Sequence, residues 1–150
     1  MFKHLQKLDV SQATSWFAIP EIAPKARMCL RPATQANAPY FNALLRMTAA
    51  RARKSKGAPT VEDLNLNRDE DRVLFPRHVI TGWEGVEDEA GKPVPFSREN
   101  AAELCAMLPE WLFDRVRAHA NSPEMFLDQG EVVPDVEELS KNSAGDSGSN

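Results

Sequence analysis

The chain has 150 residues, a net charge of −4 and 42% hydrophobic residues, which suits one domain with its own core. The acidic balance argues against general nucleic-acid binding. No apolar run approaches the roughly 18 residues of a membrane span, and the first residues lack the apolar core of a signal peptide. We therefore expect a protein that contacts no membrane and stays in the cytoplasm where it is made.

The N-terminal part of the chain predicts a small β-hairpin. Residues 1–10 carry an amphipathic pattern, which we interpret as a docked or frayed terminus. Trp16–Ile19 and Arg27–Arg31 are strand-like in composition, and nearby prolines bound both runs. Because proline interrupts a strand ladder, both strands should be short.

The rest of the compact part predicts about four helices, so the expected fold is α+β and mainly α-helical. Asn37, Thr60 and Ser97 are good N-cap residues for three of these helices. Pro109 breaks the third helix and suits the start of the next one.

One apolar stripe lies at the centre of the chain. Phe75, His78, Val79 and Trp83 follow each other at helical spacing. We interpret this segment as a helix, and we expect both Trp83 and Trp111 to contribute to the core.

An acidic, turn-rich run follows the stripe. Its corner is predicted at Glu87–Gly91, and Val94–Phe96 should lie extended behind it. The run does not fit an EF-hand, because Val86 would stand where that loop needs its first carboxylate.

The sequence shows no pattern of an active site or of a cofactor site. His4, His78 and His119 lack metal-ligand neighbours at helical spacing. Cys29 and Cys105 stand far apart in apolar contexts; a disulfide is possible, but buried reduced thiols are the favoured interpretation. We expect a protein that is not an enzyme and binds no metal or cofactor.

A basic cluster ends the first predicted helix. Cations suit the dipole at a helix C-terminus, and this explains the cluster without any partner. The alternative is a contact surface for an acidic partner or for the acidic tail of the chain itself. Nucleic acid ranks third, because no aromatic residues are interleaved for base stacking. The candidate contact residues in the cluster are Arg51, Arg53 and Lys54.

The composition changes near residue 129. Glu131, Asp135, Glu137 and Glu138 dominate the next stretch, and a Ser-, Asn- and Gly-rich end follows. Such a composition buries too little apolar area to offset chain entropy. We predict a compact α-rich domain at 1–129 and a flexible acidic tail at 130–150.

Three stretches resemble the tail assembly chaperones of long-tailed bacteriophages. They read LRPATQANAPYFNALLRMTAARARK, HVITGWEGVEDEAGKPVPFSRENAAEL and LPEWLFDRVRAHANSPEMF. The resemblance covers most of residues 26–126 and carries no catalytic or metal-binding signature. Its most recognisable part is Gly82-Trp83, an acidic turn with Gly91, and then Pro95-Phe96-Ser97.

The resemblance implies a non-enzymatic protein of the host bacterial cytoplasm. Its expected partners are the tape measure protein and the tail tube protein, and self-association stays open. Four bulky residues near element ends, each also a candidate for the core, are the candidate contacts: Phe75, Val79, Phe96 and Phe126. The alternatives are a structural virion component, such as a head–tail connector or tail-completion protein, and a phage regulator that binds a host protein.

The resembled chaperones also have a longer product made by a programmed frameshift. Lys141-Asn142 after Ser140 can be encoded on a slippery run of adenines, although an ordinary Lys-Asn pair explains them equally well. The nucleotide sequence of these codons distinguishes the two interpretations.

Overall fold

The computed structural model describes residues 1–54 and 61–127, without the side chains of residues 53–54 and 61–66. Its sheet has three antiparallel strands in the order β1-β2-β3. Their bounds are Ser15–Ala18 for β1, Arg27–Leu30 for β2 and Ile80–Glu84 for β3. The predicted N-terminal hairpin is therefore confirmed as β1 and β2, and the α+β prediction is confirmed with it.

The helical interpretation of the central stripe is wrong beyond Val79. A π-helical turn covers Phe75–Val79, and the chain is extended from Ile80 onward as the third strand. The reason is tertiary, because β2 offers a second edge on which Met28 pairs with Trp83. Gly85 then takes a φ of +72°, where a Cβ would lie 2.3 Å from the carbonyl oxygen of Lys25.

Helices supply most of the remaining structure. Asn37 and Ser97 are confirmed as N-caps, because their side-chain oxygens accept hydrogen bonds from the backbone N–H of Tyr40 and Asn100. The α-helices are α1 at Ala38–Lys54, α2 at Val61–Leu74, α3 at Arg98–Met107 and α4 at Glu110–Ala120. Two 3₁₀ turns, Lys3–Leu8 and Pro123–Phe126, lie near the ends of the described chain.

Aromatic rings link the helices in the core. The ring of Phe75 lies 6.0 Å from that of Tyr40 and 5.4 Å from that of Phe113. Met28 and Leu30 of β2 are fully buried beneath them. The π-helical turn thus lies at the centre of the domain, where it contacts α1, α2 and α3.

The prediction that both tryptophans belong to the core is wrong for Trp111. Its side chain is 57% exposed, whereas Phe113 is completely buried. The buried face of α4 runs through Phe113, Val116 and Ala120, at intervals of three and four residues. Trp111 lies off that face. Trp83 is half-buried and packs against the core.

The acidic turn is confirmed. Gly91 takes a φ of +82°, and the Asp88 carboxylate accepts hydrogen bonds from the N–H groups of Ala90 and Lys92. Glu87 and Pro93 form an isolated antiparallel bridge, and Val94 donates its N–H to the carbonyl of Val86. These bonds hold Pro93 and Val94 beside the residues that follow β3.

Both cysteines are free thiols, which is the interpretation that the sequence favours. Cys29 is half-buried and Cys105 is buried. In the described part of the chain, every helix is too short or too polar to serve as a membrane span. The predicted boundary at 129/130, the acidic tail and the frameshift codons lie outside the described residues.

Candidate partner-binding surface

The apolar residues proposed as contacts are mostly internal. Phe75 and Val79 have no exposed surface, and Phe126 is 3% exposed. Their side chains fill the core and offer a partner no area. Phe96 is different, because it is only half-buried and stands against the ring of Trp83 at 5.2 Å.

The basic cluster at the end of α1 is partly neutralised. The guanidinium of Arg51 lies 3.2 Å from the Glu70 carboxylate and donates to the side-chain oxygen of Asn67. Its charge therefore links α1 to α2. The side chains of Arg53 and Lys54 lie outside the described residues, so their part in binding stays a prediction.

A buried polar network ties α1, α2 and α4 together. The Asp71 carboxylate, only 4% exposed, accepts hydrogen bonds from the Tyr40 hydroxyl at 2.7 Å and from Arg117 Nε at 2.8 Å. Arg117 and Arg68 both donate to Asp114. Burial, followed by the Asp71 charge, raises the pKa of Tyr40, and the Arg68 hydrogen bond lowers the pKa of Asp114. These hydrogen bonds hold α1, α2 and α4 against one another.

A second group of arginines has no carboxylate partner. Within residues 1–54 and 61–127, none of their guanidinium groups forms an ion pair: Arg31, Arg46, Arg72, Arg77 and Arg98. Three of them donate to backbone carbonyls, such as that of Leu108 for Arg72 and that of Pro76 for Arg98. A carbonyl satisfies the hydrogen bond but leaves the positive charge uncompensated.

Three of these arginines line a groove of about 570 Å³, which we call the basic groove. It lies between the end of α2, the π-helical turn and α3. Val73 presents a side chain that is 42% exposed, and Ala102 and Ala106 are exposed one turn apart on α3. The lining also includes Arg72, Pro76, Arg77, Arg98 and Glu99. The groove combines small apolar residues with an excess of positive charge.

His78 lies within the field of the same arginines. Burial, and then the charges of Arg98, Arg77, Arg46 and Arg31, lower the pKa of His78. These side chains come from the residue that follows β2, from α1, from the π-helical turn and from α3. The positive field therefore extends from the basic groove toward α1.

The stability of the fold should fall as the pH drops from about 7 to 5. Burial lowers the pKa of His119. Burial and the nearby arginine charges also lower the pKa of His78. A lowered histidine pKa favours the neutral form in the folded state. The contribution of the neutral histidines to stability is therefore complete above the unfolded pKa of about 6.5. It is lost as the pH falls through that value.

His119→Gln tests this dependence, because an amide can still bond the Ser15 hydroxyl that lies 2.9 Å from Nε2. We expect denaturant unfolding of the variant to depend less on pH between about 5 and 7 than that of the wild type. An unchanged pH dependence would show that His119 is not charged preferentially in the unfolded chain.

A second groove, of about 390 Å³, lies beside the acidic turn and is called here the aromatic groove. Trp83 and Phe96 pack edge to face in it, and Trp83 Nε1 donates to the Val94 carbonyl at 2.8 Å. Glu84 and Glu87 line it; Arg27 forms an ion pair with Glu84 at 2.8 Å, whereas Glu87 forms none among the described residues. The aromatic groove is therefore apolar inside, and Glu87 gives its edge a negative charge, opposite to that of the basic groove.

Metal-ligand clusters and the buried thiol of Cys105 were the remaining candidates for chemistry in the described residues. Over ranges 1–54 and 61–127, no three His, Cys, Asp or Glu side chains come together as ligands. Burial raises the pKa of the Cys105 thiol to about 12, which keeps it protonated.

The fold and these surfaces define a small α+β protein with two open grooves of opposite charge. A model of the family described as "YdaY prophage protein" matches residues 35–133, about two thirds of the chain. The chain belongs to this family and is therefore phage-derived. No curated protein and no solved structure matches it. The match agrees with the phage origin that the resemblance implied, and it does not specify a role in tail assembly.

Proposed function

We propose that the protein is a non-enzymatic tail assembly chaperone, which binds the tape measure protein and helps to recruit tail tube subunits. Phage origin and the resemblance to tail assembly chaperones motivate the proposal. The observation that carries it is the basic groove, because its shape and its charge suit one class of ligand.

The shape of the basic groove suits an amphipathic helix. Val73 offers an exposed apolar contact, and the small side chains of Ala102 and Ala106 allow another backbone to approach α3 closely. Grooves between helices commonly bind a partner helix through residues at intervals of three and four. A long helical protein with exposed apolar stripes would otherwise aggregate, and covering those stripes is the work of a chaperone.

The charge of the basic groove selects an acidic helix. Arg72, Arg77 and Arg98 face the groove, and Glu99 is the acidic residue in its lining. Carboxylates of a partner would pair with these guanidinium groups at an exposed rim, where ion pairs are individually weak and sensitive to salt. Such a contact is reversible, as required of a factor that leaves when the tube closes around the tape.

The polar network between the helices supports a non-enzymatic role. Tyr40 and Arg117 donate to Asp71, and Arg117 and Arg68 donate to Asp114. Their hydrogen-bonding capacity is used to join helices.

Reversing two charges near the basic groove should disrupt the complex. The side chains of Arg46 and Arg77 are exposed and make no hydrogen bond or ion pair, so R46E/R77E should fold normally. We expect co-expression with the tape measure protein of the same prophage to raise that partner's solubility. The double variant should weaken co-purification by about tenfold.

The matched control is K25E/K92E, which changes the net charge equally at two exposed lysines outside the basic groove. It should bind like the wild type. Equal loss in both variants would reveal only a net-charge effect, and failure of the wild type to bind or solubilise the partner would contradict the proposal. Mass spectrometry of purified phage particles should find the chain absent; several copies per particle would favour the virion component instead.

A further inference from the structure

The first residues of the chain form an arm whose apolar face is left uncovered by the described residues. Every side chain of the 3₁₀ turn Lys3–Leu8 is exposed. Phe2, Leu5 and Leu8 are 62%, 47% and 58% exposed and belong to no part of the core cluster. Residues three apart in a 3₁₀ helix eclipse one another, so Leu5 and Leu8 share one face, and Phe2 precedes them as the N-cap residue.

The arm and the aromatic groove complement each other. The arm carries Lys3 and Lys7 and no acidic residue between them. The groove has an interior built around Trp83 and Phe96; Glu87 is its uncompensated carboxylate, since Arg27 pairs with Glu84. Apolar side chains flanked by cations match an apolar cleft with an anion at its edge.

We infer that the arm of one copy docks in the aromatic groove of a second copy. The arm departs from the domain at Val10, which is buried, and no arm residue lines the groove of its own chain. The groove of the same chain is left open, and a second copy offers an identical groove to the arm. The arm precedes residues 35–133, the region that matches the family model, whereas the aromatic groove lies within it.

A contact of this kind is heterologous, because it joins two different surfaces, the arm of one copy and the aromatic groove of the next. Each added copy presents one further arm and one further groove, so copies assemble as a ring or a line. A line of copies would cover successive stretches of a long partner. The inference uses neither Arg46 nor Arg77, so it can fail or hold independently of the proposed function.

The test is a charge exchange between two variants of the full chain. K3E/K7E makes the arm acidic beside a groove edge that is still acidic, and E87K makes the groove edge basic beside an arm that is still basic, with the Arg27–Glu84 pair left intact. Each variant alone should be a monomer in sedimentation velocity. Mixed, they should assemble, because each arm then meets a groove of opposite charge.

The wild type should associate in a concentration-dependent manner, less strongly at high salt. L5A/L8A, which removes apolar contact without changing charge, should weaken association by about tenfold or more. R46E/R77E should associate like the wild type. A wild type that stays monomeric at high concentration would overturn the inference, as would variants that assemble alone or fail to assemble when mixed.

Discussion

Replacing Phe113 by alanine should lower the free energy of unfolding by about 3–5 kcal/mol. The side chain is completely buried, its ring stands 5.4 Å from that of Phe75, and the guanidinium of Arg72 lies over it at 4.9 Å. The substitution therefore removes a core aromatic, leaves a cavity between α4 and the π-helical turn, and deprives Arg72 of its stacking surface. Urea unfolding monitored by circular dichroism measures the change.

Trp111→Ala is the matched control, two residues earlier on the same helix. Because the Trp111 side chain is 57% exposed, the change should stay within about 1 kcal/mol. The two variants together locate the buried face of α4. Equal destabilisation, or a larger loss for Trp111→Ala, would contradict the position of this helix.

Replacing Asp71 by alanine should cost about 2–4 kcal/mol. The substitution leaves the buried Tyr40 hydroxyl without its acceptor and removes the carboxylate that lies 2.8 Å from Arg117 Nε. Arg117 keeps its contact with Asp114, which limits the loss. Three helices lose their common anchor, so the unfolding midpoint in urea should shift strongly.

The control for this prediction is Glu21→Ala. Glu21 is an exposed residue, and it pairs with the exposed Arg115. Exposed pairs contribute little to stability because solvent screens them, so this variant should unfold almost like the wild type. If Asp71→Ala were no more destabilising than Glu21→Ala, the network would be a surface feature with little effect on the fold.

Local signals predicted the parts of the fold that depend on a few neighbouring residues. Asn37 and Ser97 cap their helices with hydrogen bonds that span three residues of chain. Gly91 and the flanking prolines placed the acidic turn for the same reason. The helical pattern of Phe75, His78, Val79 and Trp83 fails from Ile80 onward because this segment pairs with β2, whose partner residues lie 50 to 57 positions earlier in the chain. A periodic pattern does not contain that information.

The candidate surface was harder to predict, because it is assembled from distant segments. Arg51 belonged to a conspicuous run of cations, yet Glu70 on the neighbouring helix neutralises it. Arg77 and Arg98 are isolated in sequence and meet only because α3 packs against the π-helical turn. Phe75 was correctly identified as apolar, but spacing alone could not show that helices enclose it on several sides.

Site-specific photo-crosslinking tests the basic groove most directly. In one variant a photoreactive phenylalanine analogue replaces Ala106 in the basic groove. In a second variant it replaces Ala118, which is exposed on α4. Each variant is co-expressed with the tape measure protein. We expect irradiation to join position 106, and not position 118, to an acidic helical segment of the tape measure protein. Crosslinks from 118 alone, or none from 106 in a complex that still co-purifies, would contradict binding at this groove.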